Sequence, residues 1–305
     1  MSVSCRADLG IFSSNEGLEM DKMKCKVCIV TGSNSGIGKE TATALAEMDA
    51  VVVMAVRNQE RGEKARSEII NKTGNRMTDL MICDLASLAS IRSFAKEFTG
   101  KYDGLDVLVN NAGAVFNSRR TTADGFESSF AVDYLGPFLL THELLPILKA
   151  SAPSRVINLS SGLYKSGKVD FDDLQSEKSF NGMQVYSKAK LMILMFTYEL
   201  ARRLEGTGVT VNAVLPGFAA TNLGRNTGSL RQAISFKLVR PIQISAKKAA
   251  QTSVYLASSD AVKSLTGKCF RKMREVTTTP ASYDREAQKR LWEKSVELLD
   301  LPSTG

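Results

Sequence analysis

One histidine and one tryptophan serve a chain of 305 residues. His142 has no companions at metal-ligand spacing, so it reads as a structural or surface residue, and no metal centre is expected. Trp292 recurs at helical spacing with Leu291, Val296 and Leu299 and reads as packing. Cysteine is scarce too. The five (Cys5, Cys25, Cys28, Cys83 and Cys269) are odd in number and offer no disulfide framework. Cys25 and Cys28 form a C-x-x-C, but no second pair completes a metal site. On a predicted first strand they would face opposite ways, as buried or semi-buried thiols in a reducing cytoplasm. No run nears the roughly 18 apolar residues that a membrane span requires. The first 23 residues are mixed polar without a secretory signal, and are expected to form a poorly ordered extension. There is no repeat, low-complexity tract or linker, so residues 24–305 are expected to form a single domain.

What is present is an ordinary globular composition, 43% hydrophobic and 24% charged, with a formal net charge of +8. The densest basic cluster, Lys268, Arg271, Lys272 and Arg274, lacks the interleaved aromatics of a nucleic-acid motif. It reads as a solvated face, and no nucleic-acid partner is expected. Apolar runs at 26–31, 50–56, 78–83, 105–110, 154–160 and 208–214, with a last one near 267–270, alternate with segments of helical spacing such as 36–48, 87–99 and 183–204. Strand–helix–strand repetition predicts a single-domain α/β fold: a doubly wound, Rossmann-type parallel sheet of about seven strands, with helices on both faces.

Between the first strand and first helix stands "TGSNSGIG" (31–38). Glycine in an ordered element costs about 1 kcal/mol against alanine, so the turn must need bare backbone. Such a turn brings N–H groups up to a diphosphate and adds the helix dipole. Gly32 would permit the tight turn, Gly36 the approach of the cofactor, and Gly38 close helix packing. The second strand ends "AVRNQE" with no acidic residue before Glu60. A NAD site usually carries an acid there for the ribose 2′-hydroxyl, whereas Arg57 can hold a 2′-phosphate, so NADP (NADPH) is expected. In "YSKAK" (186–190), Tyr186 and Lys190 share a helix face. A nearby ammonium favours the phenolate and is expected to lower a tyrosine pKa that is ordinarily about 10, fitting the pair for proton transfer alongside hydride transfer.

With these motifs in order, the chain resembles the short-chain dehydrogenases/reductases over roughly residues 24–301. The landmarks are "TGSNSGIG", "DL" (84–85), "NNAG" (110–113), "INLSS" (157–161), "YSKAK", and "LPG" (215–217) followed by Thr221. "GPFLLTHELLPILK", "AVRNQERGEKA" and the tail "EAQKRLWEKSVELLDL" are most similar to the retinol dehydrogenase and protochlorophyllide-reductase-like branch. The resemblance implies roles by position. Gly32, Ser33, Asn34, Ser35, Gly36, Ile37 and Gly38 would bind pyrophosphate and adenosine ribose, Arg57 the 2′-phosphate, and Asp84 and Leu85 the adenine. Asn111, Ala112 and Gly113 would line the cofactor's ribose. Ser161, rather than Ser160, would hydrogen-bond the substrate oxygen. Tyr186 would be the acid–base, and Lys190 would bind the nicotinamide ribose. Pro216, Gly217, Ala219 and Thr221 would hold the nicotinamide. The implied activity is NADP(H)-dependent interconversion of a carbonyl and an alcohol on a small, apolar substrate, by a cytoplasmic enzyme that pairs into a homo-oligomer.

The chain departs from the family at one catalytic position. "AVDYLGPF" places Asp133 where the family often has an asparagine that completes a tetrad with Ser, Tyr and Lys. Aspartate keeps the shape and the main-chain carbonyl but cannot donate like an amide unless protonated. A buried anion there would also compete for the charge of Lys190. With the other three residues intact, Asp133→Asn is expected to change the rate by less than about tenfold (1.4 kcal/mol). Two alternatives stay open: an NADP-binding regulator with little catalysis, and a reductase of a conjugated C=C bond. The segments 162–182 and 222–245 are expected to shape the substrate pocket, the second as a lid. Its stretch 230–244 mixes apolar and basic residues, which leaves peripheral membrane contact open.

Overall fold

In the computed structural model, the residues described are 23–217 and 244–302. Each apolar run becomes a strand, and the central ones are buried from both sides. In chain order the elements are β1 (Val27–Thr31), α1 (Gly36–Ala46), β2 (Val51–Val56), α2 (Gln59–Thr73), β3 (Thr78–Ile82), α3 (Leu88–Lys101) and β4 (Val107–Asn110). There follow a single α turn, α4 (Ser128–Phe130), a π-helical turn (Ala131–Leu135), α5 (Gly136–Ala150), β5 (Ser154–Leu159) and a 3-10 turn (Gly162–Ser166). The chain continues with α6 (Gly182–Arg203), β6 (Val209–Val214), α7 (Ala246–Ser258), β7 (Lys268–Arg271), β8 (Arg274–Glu275), α8 (Pro280–Tyr283) and α9 (Arg285–Leu298).

The strands form one sheet in the order β3-β2-β1-β4-β5-β6-β7-β8. The first seven are parallel, and β8 adds an antiparallel hairpin of two residues. A strand as short as β8 carries no periodicity that could have predicted it. Between β1 and β4 the winding reverses direction, which opens a crevice at their carboxyl ends, the ligand position of a doubly wound sheet. One apolar core lies under α3, α5, α6 and α9, and a second under α1, α2 and α7, with Met23 packed into the latter.

Two features reach from the core to the crevice. Asn110, at the end of β4, donates to Thr141 Oγ1 (2.9 Å) and Asn158 Oδ1 (2.8 Å), and Asn158 donates to Thr197 Oγ1 (3.0 Å). This buried chain of amides and hydroxyls ties β4 and β5 to α5 and α6 and fixes the rim of the site. In addition, α6 is buried without interruption from Val185 to Ala201. One side meets the sheet and another is covered by α9, whose Trp292 packs against Phe138 and Phe196 while the Arg203 guanidinium lies 4.3 Å from its ring.

Cys28 is free and buried, as expected, and so are Cys83 and Cys269. Cys25 corrects its expectation twice. It precedes β1 in a left-handed conformation (φ 60°) rather than lying on the strand, and it is disulfide-bonded. His142 is half-buried on α5. Among the described residues no group of His, Cys, Asp and Glu could hold a metal, and no helix is long and apolar enough to cross a membrane.

Candidate functional site

The crevice is bounded on its floor by the glycine turn. Gly32 (φ 64°) and Gly36 (φ 58°) occupy the left-handed region, where a side chain is strained. A Cβ on Gly32 would lie 3.0 Å from Ala112, and one on Gly38 would lie 2.3 Å from Asn111 Nδ2 and 2.6 Å from Gly32 O. The turn therefore folds flat against the strip that leaves β4, and Thr31 Oγ1 joins them by accepting from the N–H groups of Asn111 (2.9 Å) and Ala112 (3.0 Å). Ser35 caps α1 in extended conformation but its side chain accepts no hydrogen bond from it, and the first turn of α1 has no acidic residue. The amide donors at this helix start are not spent on a cap, which suits an anion. Ser33 Oγ is buried here without a partner.

Beyond the turn the crevice is lined by Asn34, Ser35, Gly36, Ile37, Gly38, Arg57, Asp84, Leu85, Asn111, Ala112, Gly113, Tyr186, Lys190 and Pro216, all singled out from the sequence. Cys83, Val132, Ser160, Asn58 and Arg61 line it as well. Arg61 is the notable omission. It lies four residues after Arg57, on the first turn of α2, and its N–H is capped by Asn58 (2.9 Å). The signal was present in "RNQER": two arginines at i and i+4 across a helix start. Neither arginine forms an ion pair among the described residues, and Glu60 does not line the crevice. Gly217 (φ 85°) follows Pro216 and packs on Ile244. Ala219, Thr221 and residues 222–243 of the expected lid lie outside the described residues.

The other wall carries the ionisable groups. Tyr186 and Lys190 lie one turn apart on α6, with Lys190 Nζ 5.4 Å from the centre of the tyrosine ring. The two serines of "LSS" divide. Ser160 donates to the Lys190 carbonyl oxygen (2.7 Å) and is committed to holding α6 against β5, although it lines the crevice. Ser161 lies near enough to the Tyr186 hydroxyl to act downward on its pKa, and its Oγ accepts from Leu163 N–H (3.3 Å). Leu163 and Met183, both exposed large apolar residues, stand two residues after Ser161 and about one turn before Tyr186 in the chain. The loop 162–182 is tied down at a distance from the crevice. Lys188 donates to Ser176 Oγ (2.7 Å) and to the Asp173 carbonyl (3.1 Å), and Arg119 pairs with Glu177 (3.2 Å).

Asp133 does not line the crevice; it lies buried behind it. The π turn swings its carboxylate under Lys190, with Oδ1 3.0 Å from Nζ and accepting from Ala114 N–H (3.1 Å), while Oδ2 is buried without a partner. Only a glycine fits in front of the pair, because a Cβ on Gly113 would stand 2.6 Å from Asp133 Oδ1 and 3.1 Å from Lys190 Nζ. Burial pushes the Asp133 carboxyl up to about 6 although Lys190 pulls it down. Burial alone would lower Lys190, but Asp133 and Tyr186 carry it above the ordinary lysine value. Tyr186 also lies above the ordinary tyrosine value, because burial, aided by the Asp133 charge, outweighs Lys190 and Ser161. This corrects the sequence expectation: the ammonium does act downward on Tyr186, but its net effect is overcome.

Residues 26–232 match the family described as short chain dehydrogenase. Over 281 residues, 90% of this chain and 85% of the relative, the sequence is 44% identical to retinol dehydrogenase 13 of Homo sapiens. It is 42% identical to the human retinol dehydrogenase 12 over 276 residues, 90% and 87% of the two chains. Among solved structures, an uncharacterized protein from Mycobacterium Paratuberculosis is 30% identical and superimposes with a TM-score of 0.75, covering 92% of this chain and 95% of that one. A 3-ketoacyl-(acyl-carrier-protein) reductase from Brucella melitensis, solved in complex with NADH, shares the fold at 21% identity and a TM-score of 0.63, covering 81% of this chain and 96% of that one.

Proposed function

The chain belongs to the short-chain dehydrogenases, and from that premise we propose that it is an NADP(H)-dependent oxidoreductase interconverting a carbonyl and an alcohol, with Tyr186 as acid–base. The observation that carries the reading is that Tyr186 and Lys190, with Ser161 next to Tyr186, stand at one end of a crevice whose other end is a glycine turn with unspent helix donors. The residues present fit a dinucleotide. The turn from Gly32 to Gly38 and the N-terminus of α1 would hold the diphosphate, Asp84 and Leu85 the adenine, Asn111–Gly113 the ribose, and Pro216 and Gly217 the nicotinamide end. Arg57, just past the tip of β2 where a ribose-binding acid would otherwise stand, and Arg61 on the first turn of α2, neither ion-paired among the described residues, favour a 2′-phosphate and so NADP over NAD.

A bound nicotinamide supplies or accepts the hydride. The chain's own residues handle the oxygen and the proton. In reduction, Ser161 donates a hydrogen bond to the carbonyl oxygen and Tyr186 gives that oxygen its hydroxyl proton. Lys190 stabilises the phenolate left behind. Leu163 and Met183, exposed apolar residues near Ser161 and Tyr186 in the chain, favour an apolar substrate.

The test follows NADPH and NADH oxidation by the purified protein with a panel of aliphatic, aromatic and isoprenoid aldehydes and ketones. Tyr186→Phe is expected to lower turnover by about 100-fold or more while NADPH still binds. A phenylalanine variant that stays active would remove Tyr186 from the mechanism. Tight NADPH binding without turnover on any compound would favour the second reading, a cofactor-binding regulator, for which the capture of Lys190 by Asp133 is the supporting observation.

A further inference from the structure

The buried ion pair is the part of the site that the proposed reaction does not by itself require. Lys190 stands close enough to Tyr186 to draw its hydroxyl toward the phenolate, and nothing in that task needs a carboxylate. Yet the chain places one directly behind the ammonium and secures it from several sides. The π turn carries Asp133 to within 3.0 Å of Lys190 Nζ, and the Ala114 N–H holds the same oxygen. Gly113 leaves the required space, and the adjoining Tyr134 is locked by Ser295 Oγ of α9 (2.7 Å) and by stacking on Phe130. A carboxylate this fixed cannot turn away from the lysine.

We propose that Asp133 is a positioning residue that takes the Lys190 ammonium as its ion-pair partner and so withholds that charge from the Tyr186 hydroxyl, biasing the site toward proton donation and hence carbonyl reduction. The inference rests on the reading of Tyr186 as acid–base. In reduction the Tyr186 O–H bond breaks as hydride adds to the carbonyl carbon. The proton goes to the substrate oxygen, and the phenolate recovers a proton from solvent. In alcohol oxidation the phenolate must take the alcohol's proton, so that direction waits for the pH at which Tyr186 ionises. The charged and titratable groups facing this centre are Tyr186 and Lys190 from α6, Asp133 from the π turn and Glu127 at the cap of α4. Of these only Lys190 favours the phenolate, and Asp133 opposes it, in keeping with the upward displacement of Tyr186.

The experiment measures pH profiles in both directions for the wild type and Asp133→Asn, a change that keeps the side chain's shape. In the wild type, reduction should hold level across neutral pH and fall only in the alkaline range, where oxidation begins to rise. In Asp133→Asn both limbs should move together to lower pH by about one unit, so that oxidation at pH 7 rises about tenfold. A second measurement needs no cofactor and no variant of Asp133. Tyrosinate absorbance is titrated in the wild type and in Tyr186→Phe, and their difference isolates Tyr186. Ionisation of Tyr186 above the ordinary value near 10 is expected, whereas ionisation at or below that value overturns the proposal. Limbs that coincide in the wild type and Asp133→Asn also overturn it, even where Tyr186→Phe is inactive. Activity retained by Tyr186→Phe instead removes the acid–base reading on which the proposal stands.

Discussion

The two ends of the crevice are made of different material. The glycine-turn end is backbone: left-handed residues, helix N–H groups, and close approaches that exclude a Cβ. The tyrosine end is charge taken out of water: a carboxylate, an ammonium and a phenol, all buried, with one carboxylate oxygen lacking any partner. A backbone site works by shape and tolerates little added volume. A buried-charge site works by balance, so removing one member shifts the others. The contrast predicts that variants at the two ends fail in different ways.

The sharpest way to break the balance is Lys190→Met. It leaves Asp133 alone in a low-dielectric site, and removing one partner of a buried pair costs about 3–5 kcal/mol. The loss should depend on pH. The Asp133 carboxyl, already lifted by burial to about 6 from an ordinary 3.8, rises further once the lysine is gone. A carboxyl whose folded pKa is raised contributes its stability below the unfolded value and loses it as pH climbs through the folded one. Relative to the wild type, Lys190→Met should therefore be more destabilised in urea at pH 8 than at pH 5, and Lys190→Met with Asp133→Asn should recover most of the loss at pH 8. An equal loss at both pH values would mean that the carboxylate is not desolvated.

At the backbone end, Gly38→Ala tests shape without changing charge. Its Cβ meets Asn111 Nδ2 at 2.3 Å and the Gly32 carbonyl at 2.6 Å, and the second contact cannot swing aside. Helix α1 must shift from the turn, costing about 1–3 kcal/mol of stability. The stabilisation that NADPH gives the wild type in thermal melting should largely vanish, and unlike the lysine variant the loss should not change between pH 5 and 8. A normal NADPH shift in Gly38→Ala would show that the N-terminus of α1 is not the diphosphate site.

The same contrast explains what the sequence disclosed. A site made of backbone is written in glycine spacing, so "TGSNSGIG" could be read residue by residue, and seven of the eight strands followed from apolar runs of matching length. Tyr186, Lys190 and Ser161 were legible as residue types in order. The sign of their electrostatics was not. It depends on how deeply α6 is buried and on a π turn that no periodicity announces, so Lys190 was expected to lower Tyr186 whereas burial and Asp133 win. Ser161 was preferred to Ser160 by resemblance alone; that Ser160 is engaged by the Lys190 carbonyl, a contact 30 residues away in sequence, no local pattern announces. Arg61 was missed because it stands on α2 rather than on the strand end where the acidic residue was sought.

Arg57 and Arg61 lie between the two kinds of site: charged, but exposed to solvent. Their contribution should be the smallest and the most sensitive to salt, because exposed charges are screened over about 8–10 Å at physiological ionic strength. Arg57→Ala is expected to weaken NADPH binding about tenfold (1.4 kcal/mol) and to leave NADH binding unchanged, and adding Arg61→Ala should weaken NADPH further. Titration with both cofactors at low and high salt checks this. A tenfold loss shared by NADH would place Arg57 on the common diphosphate or adenosine rather than on a 2′-phosphate. A loss confined to NADPH that shrinks at high salt would show that cofactor choice is made by solvent-exposed charge at the rim, while the backbone end holds either dinucleotide and the buried end sets the proton.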